Sequence, residues 1–142
     1  MNSNFNLTTY NPAKKYAGFH FFVLNKGLNS GKPLLEPCPN CFVCICNSEV
    51  EKENLYWICF ALWNGKRFHQ LLVGSCIEFI RIKETFNLVQ ESYMKTKNNP
   101  DVFQKALDLL KFANEKDLHF QNLALTIRKI KRDLARDLLF KS

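Results

Sequence analysis

Several features are scarce or missing in this chain of 142 residues, and each absence excludes something. No run of eighteen apolar residues occurs, so no segment reads as a membrane-spanning helix. The opening stretch MNSNFNLTTYNPAKKY lacks an apolar core behind a basic start, so it does not read as a secretory signal. The expectation is therefore a cytoplasmic protein whose thiols stay reduced. There is no internal repeat and no low-complexity tract. Histidine is limited to His20, His69 and His119, none of them beside an acid and a nucleophile in sequence. The expectation is a protein that is not an enzyme. Apolar residues make up 46% of the chain and thirteen are phenylalanine, which argues for one folded domain with a Phe-rich core.

Cysteine is present in quantity and unevenly placed. CPNCFVCIC, residues 38 to 46, holds four of the six cysteines in nine positions. Cys38 and Cys41 have the C-x-x-C spacing of zinc knuckles and redox sites, and they are the pair that would hold a metal. A structural zinc needs four ligands, and Cys59, His69 and Cys76 are not paired at ligand spacing. A redox C-x-x-C normally opens a helix. Here it leads into FVCIC, a β-branched and aromatic run that reads as a strand. Alternation puts Phe42, Cys44 and Cys46 on one face and Cys41, Val43 and Ile45 on the other, a central strand covered on both sides. The cysteines are read as small apolar residues, with no cofactor expected.

Around that strand the pattern predicts an α+β fold: a small three-stranded sheet with a packed helix, then a helical C-terminal part, with boundaries at 1–95 and 99–142 of a single domain. The strands are Phe19–Asn25, FVCIC and CIEFIRI (Cys76–Ile82), with a long loop from Lys26 to Asn40 between the first two. Ser48 and Glu51 form a capping box for a helix that presents Val50, Leu55, Ile58, Cys59 and Leu62 on one face and ends before Gly65. Trp57 and Trp63 on this helix are read as core or groove residues. A short helical turn spans Arg67–Val73, and a helix from Thr85 to about Met94 is broken by KTKNNP. Asn99 and Pro100 start a helix running through Ala113. Asp117 then caps a last helix whose seam of Leu123, Ile127, Ile130, Leu134 and Leu138 is expected to pack on the core.

Two stretches carry the functional question. GLNSGK (Gly27–Lys32) resembles a phosphate-binding loop only loosely: the glycines are one residue too close, Pro33 follows the lysine, and no helix comes next. It reads as a flexible basic surface loop. The charge is more informative. The net +7 is concentrated at the ends: Lys14, Lys15, Lys26 and Lys32 stand without an acid in residues 1–35, and six basic residues oppose two acidic ones in residues 126–142. Arg128, Arg132 and Arg136 recur four apart, flanked by Lys129 and Lys131, and so share one helix face. Such a row suits phosphates, since each cation that neutralises one releases a counterion. The alternative is an ordinary solvated face, which the interleaved Asp133 and Asp137 favour. These nine basic residues are the expected contacts with nucleic acid or an acidic partner.

The segments HFFVLNKGLNSGKPLLEPCPNCFV (His20–Val43) and YWICFALWNGKRFHQLLVGSCIEFIRI (Tyr56–Ile82) resemble an uncharacterised family of small proteins from bacteroidete genomes and mobile elements, over about the first 60% of the chain. The resemblance implies a setting of genetic conflict. It points to an anti-CRISPR-type inhibitor that binds an RNA-guided RNA-targeting nuclease (a type VI effector) or its guide RNA without catalysis. An alternative is a direct RNA- or DNA-binding accessory protein of a mobile element, and a third is a zinc module or unrecognised enzyme. No membrane or small-molecule partner is expected.

Overall fold

A computed structural model describes residues 5–140. They divide into two compact units, one up to Pro100 and one from Asp101 onward. The first unit is built on a four-stranded antiparallel sheet, β1 (Asn6–Thr9), β2 (His20–Leu24), β3 (Pro33–Leu34) and β4 (Cys41–Ile45), in the order β1-β4-β2-β3. The architecture is α+β as expected, with one more strand than the predicted three.

The cysteine-rich run is the centre of that sheet, hydrogen-bonded to β1 on one side and β2 on the other. Its alternation holds as read. Phe42, Cys44 and Cys46 enter the main core with Phe21, Leu55, Cys59 and Phe68, while Cys41 and Val43 pack on the opposite face with Phe22. Ile45, at the end of the strand, is exposed. The helices α1 (Glu49–Asn64) and α2 (Ile82–Asn98) contribute to the main core, and Tyr10, Tyr16, Leu34 and Cys38 cover the other face. Five phenylalanines are buried in the two cores: Phe5, Phe21, Phe22, Phe42 and Phe68.

Two strands escaped the pattern because neither has a long apolar run. β1 buries one side chain, Leu7, between polar neighbours. β3 has two residues inside the predicted long loop, and its Pro33 is tolerated because β3 is an edge strand. Conversely, CIEFIRI is not a strand. Its contacts are single bridges from Phe79 to Val73 and Lys26, with Ile80 donating to the Asn25 carbonyl at 3.0 Å. The outer edge of β2 is already taken by β3 at Phe22 and Val23, so this segment reaches only the chain beyond the end of β2. Ile82 then opens α2, which runs to Asn98 and therefore begins earlier and ends later than the predicted Thr85–Met94.

At α1 the capping box forms in altered geometry. The Ser48 hydroxyl accepts from Glu51 N–H at 3.1 Å, but the Glu51 carboxylate accepts from Asn47 N–H, one residue before the cap, at 3.3 Å. Gly65 ends the helix, with its N–H on the Ala61 carbonyl. Leu55, Ile58 and Cys59 are buried as predicted, whereas Val50 in the first turn points to solvent. The predicted turn at Arg67–Val73 is a short 3₁₀ segment, Phe68–Leu71.

The second unit is a helix. α3 runs unbroken from Pro100 to Phe140, 41 residues, so Asp117 caps nothing. No glycine or proline follows Pro100, and the Asp117 carboxylate instead accepts from the Gln121 side chain one turn on, at 3.1 Å. The seam predicted to pack on the core is solvent-facing: Leu123, Ile127, Ile130, Leu134 and Leu138 are all exposed.

Candidate functional site

The basic residues fall into two groups, one in each unit. On α3, successive residues turn by roughly 100° and rise about 1.5 Å. Arg128, Arg132 and Arg136 therefore occupy an arc of roughly 80° with about 6 Å between neighbours along the axis. All three are exposed, as are Lys129 and Lys131. Lys129 lies roughly 60° from Arg132 and extends the arginine face, while Lys131 lies roughly 100° away on the other side, at the margin of the apolar seam. Asp133 and Asp137 project roughly 100° and 140° from Arg132. The acids that interrupt the basic run in sequence therefore stand beside the arginine row and leave it unbroken.

In the first unit, Lys14 and Lys15 are exposed in the connection after β1, and Lys26 and Lys32 flank the loop Gly27–Lys32. Lys32 lies over the Trp63 ring, 5.3 Å from its centroid, a cation–π contact. Trp63 ends an aromatic row along α1 that continues through Phe60 and Trp57, with ring centroids 5.9 and 5.0 Å apart. Both tryptophans are half-buried, as expected of groove residues.

The loop itself is neither flexible in design nor a phosphate cradle. Gly31 is buried at φ +98, and a Cβ there would overlap the Phe68 ring, so only glycine fits. Ser30 is buried and its hydroxyl donates to the Gly27 carbonyl at 2.6 Å. Four of the six backbone N–H groups are committed: Gly27 to Glu78, Ser30 to Gly27, Gly31 to Leu24 and Lys32 to Asn29. A phosphate site of this kind works by turning such groups toward the ligand. Here two of them close the turn on itself and two tie it to the carbonyls of Leu24 and Glu78.

The Cys38–Cys41 pair is likewise turned inward. The Cys41 thiol donates to the Cys38 carbonyl at 3.1 Å, and the Cys38 thiol to the Asn40 carbonyl at 3.4 Å. Burial pushes the Cys41 thiol up to about 11, away from the thiolate that binds metal or attacks disulfides. Burial, with the neighbouring Cys46 in the same sense, sends Cys59 well above its ordinary value, and Cys44 is raised by its hydrogen bond with Cys46 together with burial. All six cysteines are free, and no cluster of three or more metal-ligating side chains occurs among the described residues. A cavity of about 340 Å³ beside Cys38 is lined by Tyr10, Pro12, Pro37, Cys38 and Pro39, an apolar surface without a charged group. His20 has its Nδ1 on the Gly18 carbonyl at 2.9 Å and its ring against Tyr16 and Phe22, a satisfied histidine at the sheet.

Among the predicted contacts, Arg128, Arg132 and Arg136 form an exposed row of guanidinium groups on one helix face. What sequence reading misplaced is the apolar seam on the other side of the same helix. Its spacing was visible; that it has no covering was not.

The profile of a family of unknown function, DUF6943, matches residues 7–137. The chain belongs to that family. The DUF6943 match runs through α3, well past the first 60% of the chain over which a resemblance was read, so sheet and long helix form one family unit. No curated protein and no solved structure matches the chain.

Proposed function

We propose that this DUF6943 member is a non-catalytic binding protein whose α3 docks on the phosphate backbone of an RNA, free or held in a ribonucleoprotein. The observation that carries this reading is the row Arg128, Arg132 and Arg136, solvent-exposed on one face of an unbroken helix with the interleaved acids turned aside. Guanidinium groups pair phosphates through a planar fork of donors and stay charged throughout the physiological range. A net charge of +7 favours association with a polyanion at distance. An RNA-guided RNA-targeting nuclease is one ribonucleoprotein of this class. Inhibition of such an effector rests on the sequence resemblance, and adding the chain to a target-cleavage assay tests it.

The direct test is the triple substitution Arg128→Glu, Arg132→Glu and Arg136→Glu. Exposed positions usually change stability by less than about 0.5 kcal/mol each, so the melting temperature should stay within a few degrees of wild type. Binding to fluorescein-labelled RNA, measured by anisotropy, should be lost. Wild-type affinity should fall linearly in log K against log salt, with a slope of about −0.7 per phosphate contacted on a single strand. Unchanged RNA binding by a normally melting triple variant would refute the reading.

A further inference from the structure

The apolar seam of α3 has a periodicity of its own. Phe120, Leu123, Ile127, Ile130 and Leu134 are spaced three and four apart and fall within an arc of roughly 80°. They are heptad positions a and d, with Phe120, Ile127 and Leu134 at a and Leu123 and Ile130 at d. All five are exposed, Phe120 and Leu134 at 64% each. A contiguous apolar strip of this kind on a surface marks an association site. Continuing the register, Lys116 and Asp137 occupy the d positions that close the strip at its two ends.

The charges around the strip identify the occupant. Consider a second copy of α3 laid antiparallel, centred on residue 125. Phe120 then meets Ile130 of the second copy and Leu123 meets Ile127, with the same contacts repeated by the two-fold axis. The e positions bring Asp117 opposite Lys131 of the second copy, and the g positions bring His119 opposite Asp133. Each pair is made twice. Lys116 lies level with Leu134 and within a turn of Asp137 of the second copy. A parallel pairing instead stacks Lys116 on Lys116 and Asp137 on Asp137 inside the seam, and sets Lys131 against Thr126 and Asp133 against Leu138. Like charges in the core oppose the parallel form, and the opposite charges of Asp117 and Lys131 at e favour the antiparallel one.

We propose that the chain forms a homodimer through an antiparallel coiled coil of α3, centred on residue 125, with Asp117–Lys131 pairs fixing orientation. Five side chains exposing on the order of 100 Å² each give roughly 500 Å² per helix, and the flanking e and g residues bring this toward the ~800 Å² per partner of a standard specific interface. Arg128, Arg132 and Arg136 take outer positions b, f and c, so the dimer leaves both arginine rows exposed. The inference is independent of RNA binding and is measured without RNA.

Sedimentation equilibrium of the full chain from about 1 to 100 µM decides it, because dissociation constants in that range are read directly. Wild type should be a dimer, and Ile127→Lys should be monomeric with the amides of β4 and α1 still protected from hydrogen exchange, which shows the first unit folded. Asp117→Lys places Lys against Lys twice and should weaken dimerisation about tenfold or more, while Asp117→Lys with Lys131→Asp should return it to within about threefold of wild type. A monomeric wild type at the highest concentration overturns the proposal and leaves the strip for a different protein. So does a dimer indifferent to Ile127→Lys. Failure of the double charge exchange to recover affinity overturns the antiparallel register on which the proposal stands.

Discussion

At Cys41, one side chain links packing to pH dependence. The residue is buried at the start of β4, and desolvation raises its thiol from 9.0 to about 11, with Cys44 and Cys59 raised in the same sense. The unfolded chain therefore loses these protons at lower pH than the folded one. Between the two values the native state binds more protons, so stability falls as pH rises. Chemical denaturation should give a constant midpoint up to about pH 8 and a midpoint that declines from pH 9 through 11. Cys41→Ala should be less stable at neutral pH by about 1 kcal/mol, the size of losing a small buried group, yet show a shallower decline. A decline as steep as wild type would mean that Cys41 ionises freely when folded. The arrangement in which thiols donate to the carbonyls of Cys38 and Asn40 was hidden from sequence, because C-x-x-C spacing is the same whether sulfur points at a metal or at its own backbone.

Among the elements, α1 was the most legible and α3 the least. Ser48, Glu51 and Gly65 are local signals whose effect depends on backbone groups within a few residues, so both ends of α1 fell where the sequence put them. Ser48→Ala removes the acceptor for the Glu51 N–H and should cost about 1 kcal/mol, measured as a shift in urea midpoint with an unchanged slope. A shift below about 0.3 kcal/mol would mean that water replaces the cap without loss. In α3 the same kind of local reasoning failed at Asp117. An aspartate ends or starts a helix only when flanking residues abandon helical dihedrals, and here nothing between Pro100 and Phe140 forces them to. CIEFIRI failed for a different reason. Its β-branched composition suits a strand, but a strand also requires a free sheet edge, and β3 holds the one on β2.

Across the whole molecule, burial is unevenly shared. The two core clusters are drawn from residues 5 to 93, whereas every residue from Glu115 to Phe140 is exposed. Amides in β4 and α1 should therefore exchange hydrogen only on global unfolding, at a rate independent of protein concentration. Amides between Lys116 and Leu134 should exchange fast in dilute protein and become protected as concentration rises, since association is their remaining source of stability. Equal protection of the helix at about 1 and 100 µM would show that α3 is stabilised within a single chain.

The sequence by itself determined the faces: the alternation of FVCIC, the capped limits of α1, the arginine row and the seam on α3. These follow from the periods of strand and helix, which are properties of the local backbone. Tertiary structure alone decided what lies against each face. Cys44 meets α1 and the phenylalanines because β4 is an inner strand, the glycine loop spends its N–H groups on its own turn and on the carbonyls of Leu24 and Glu78, and Ile127 meets solvent on a helix that runs unbroken past Asp117. Periodicity specifies direction, whereas covering depends on residues distant in the chain, and no local pattern encodes that distance.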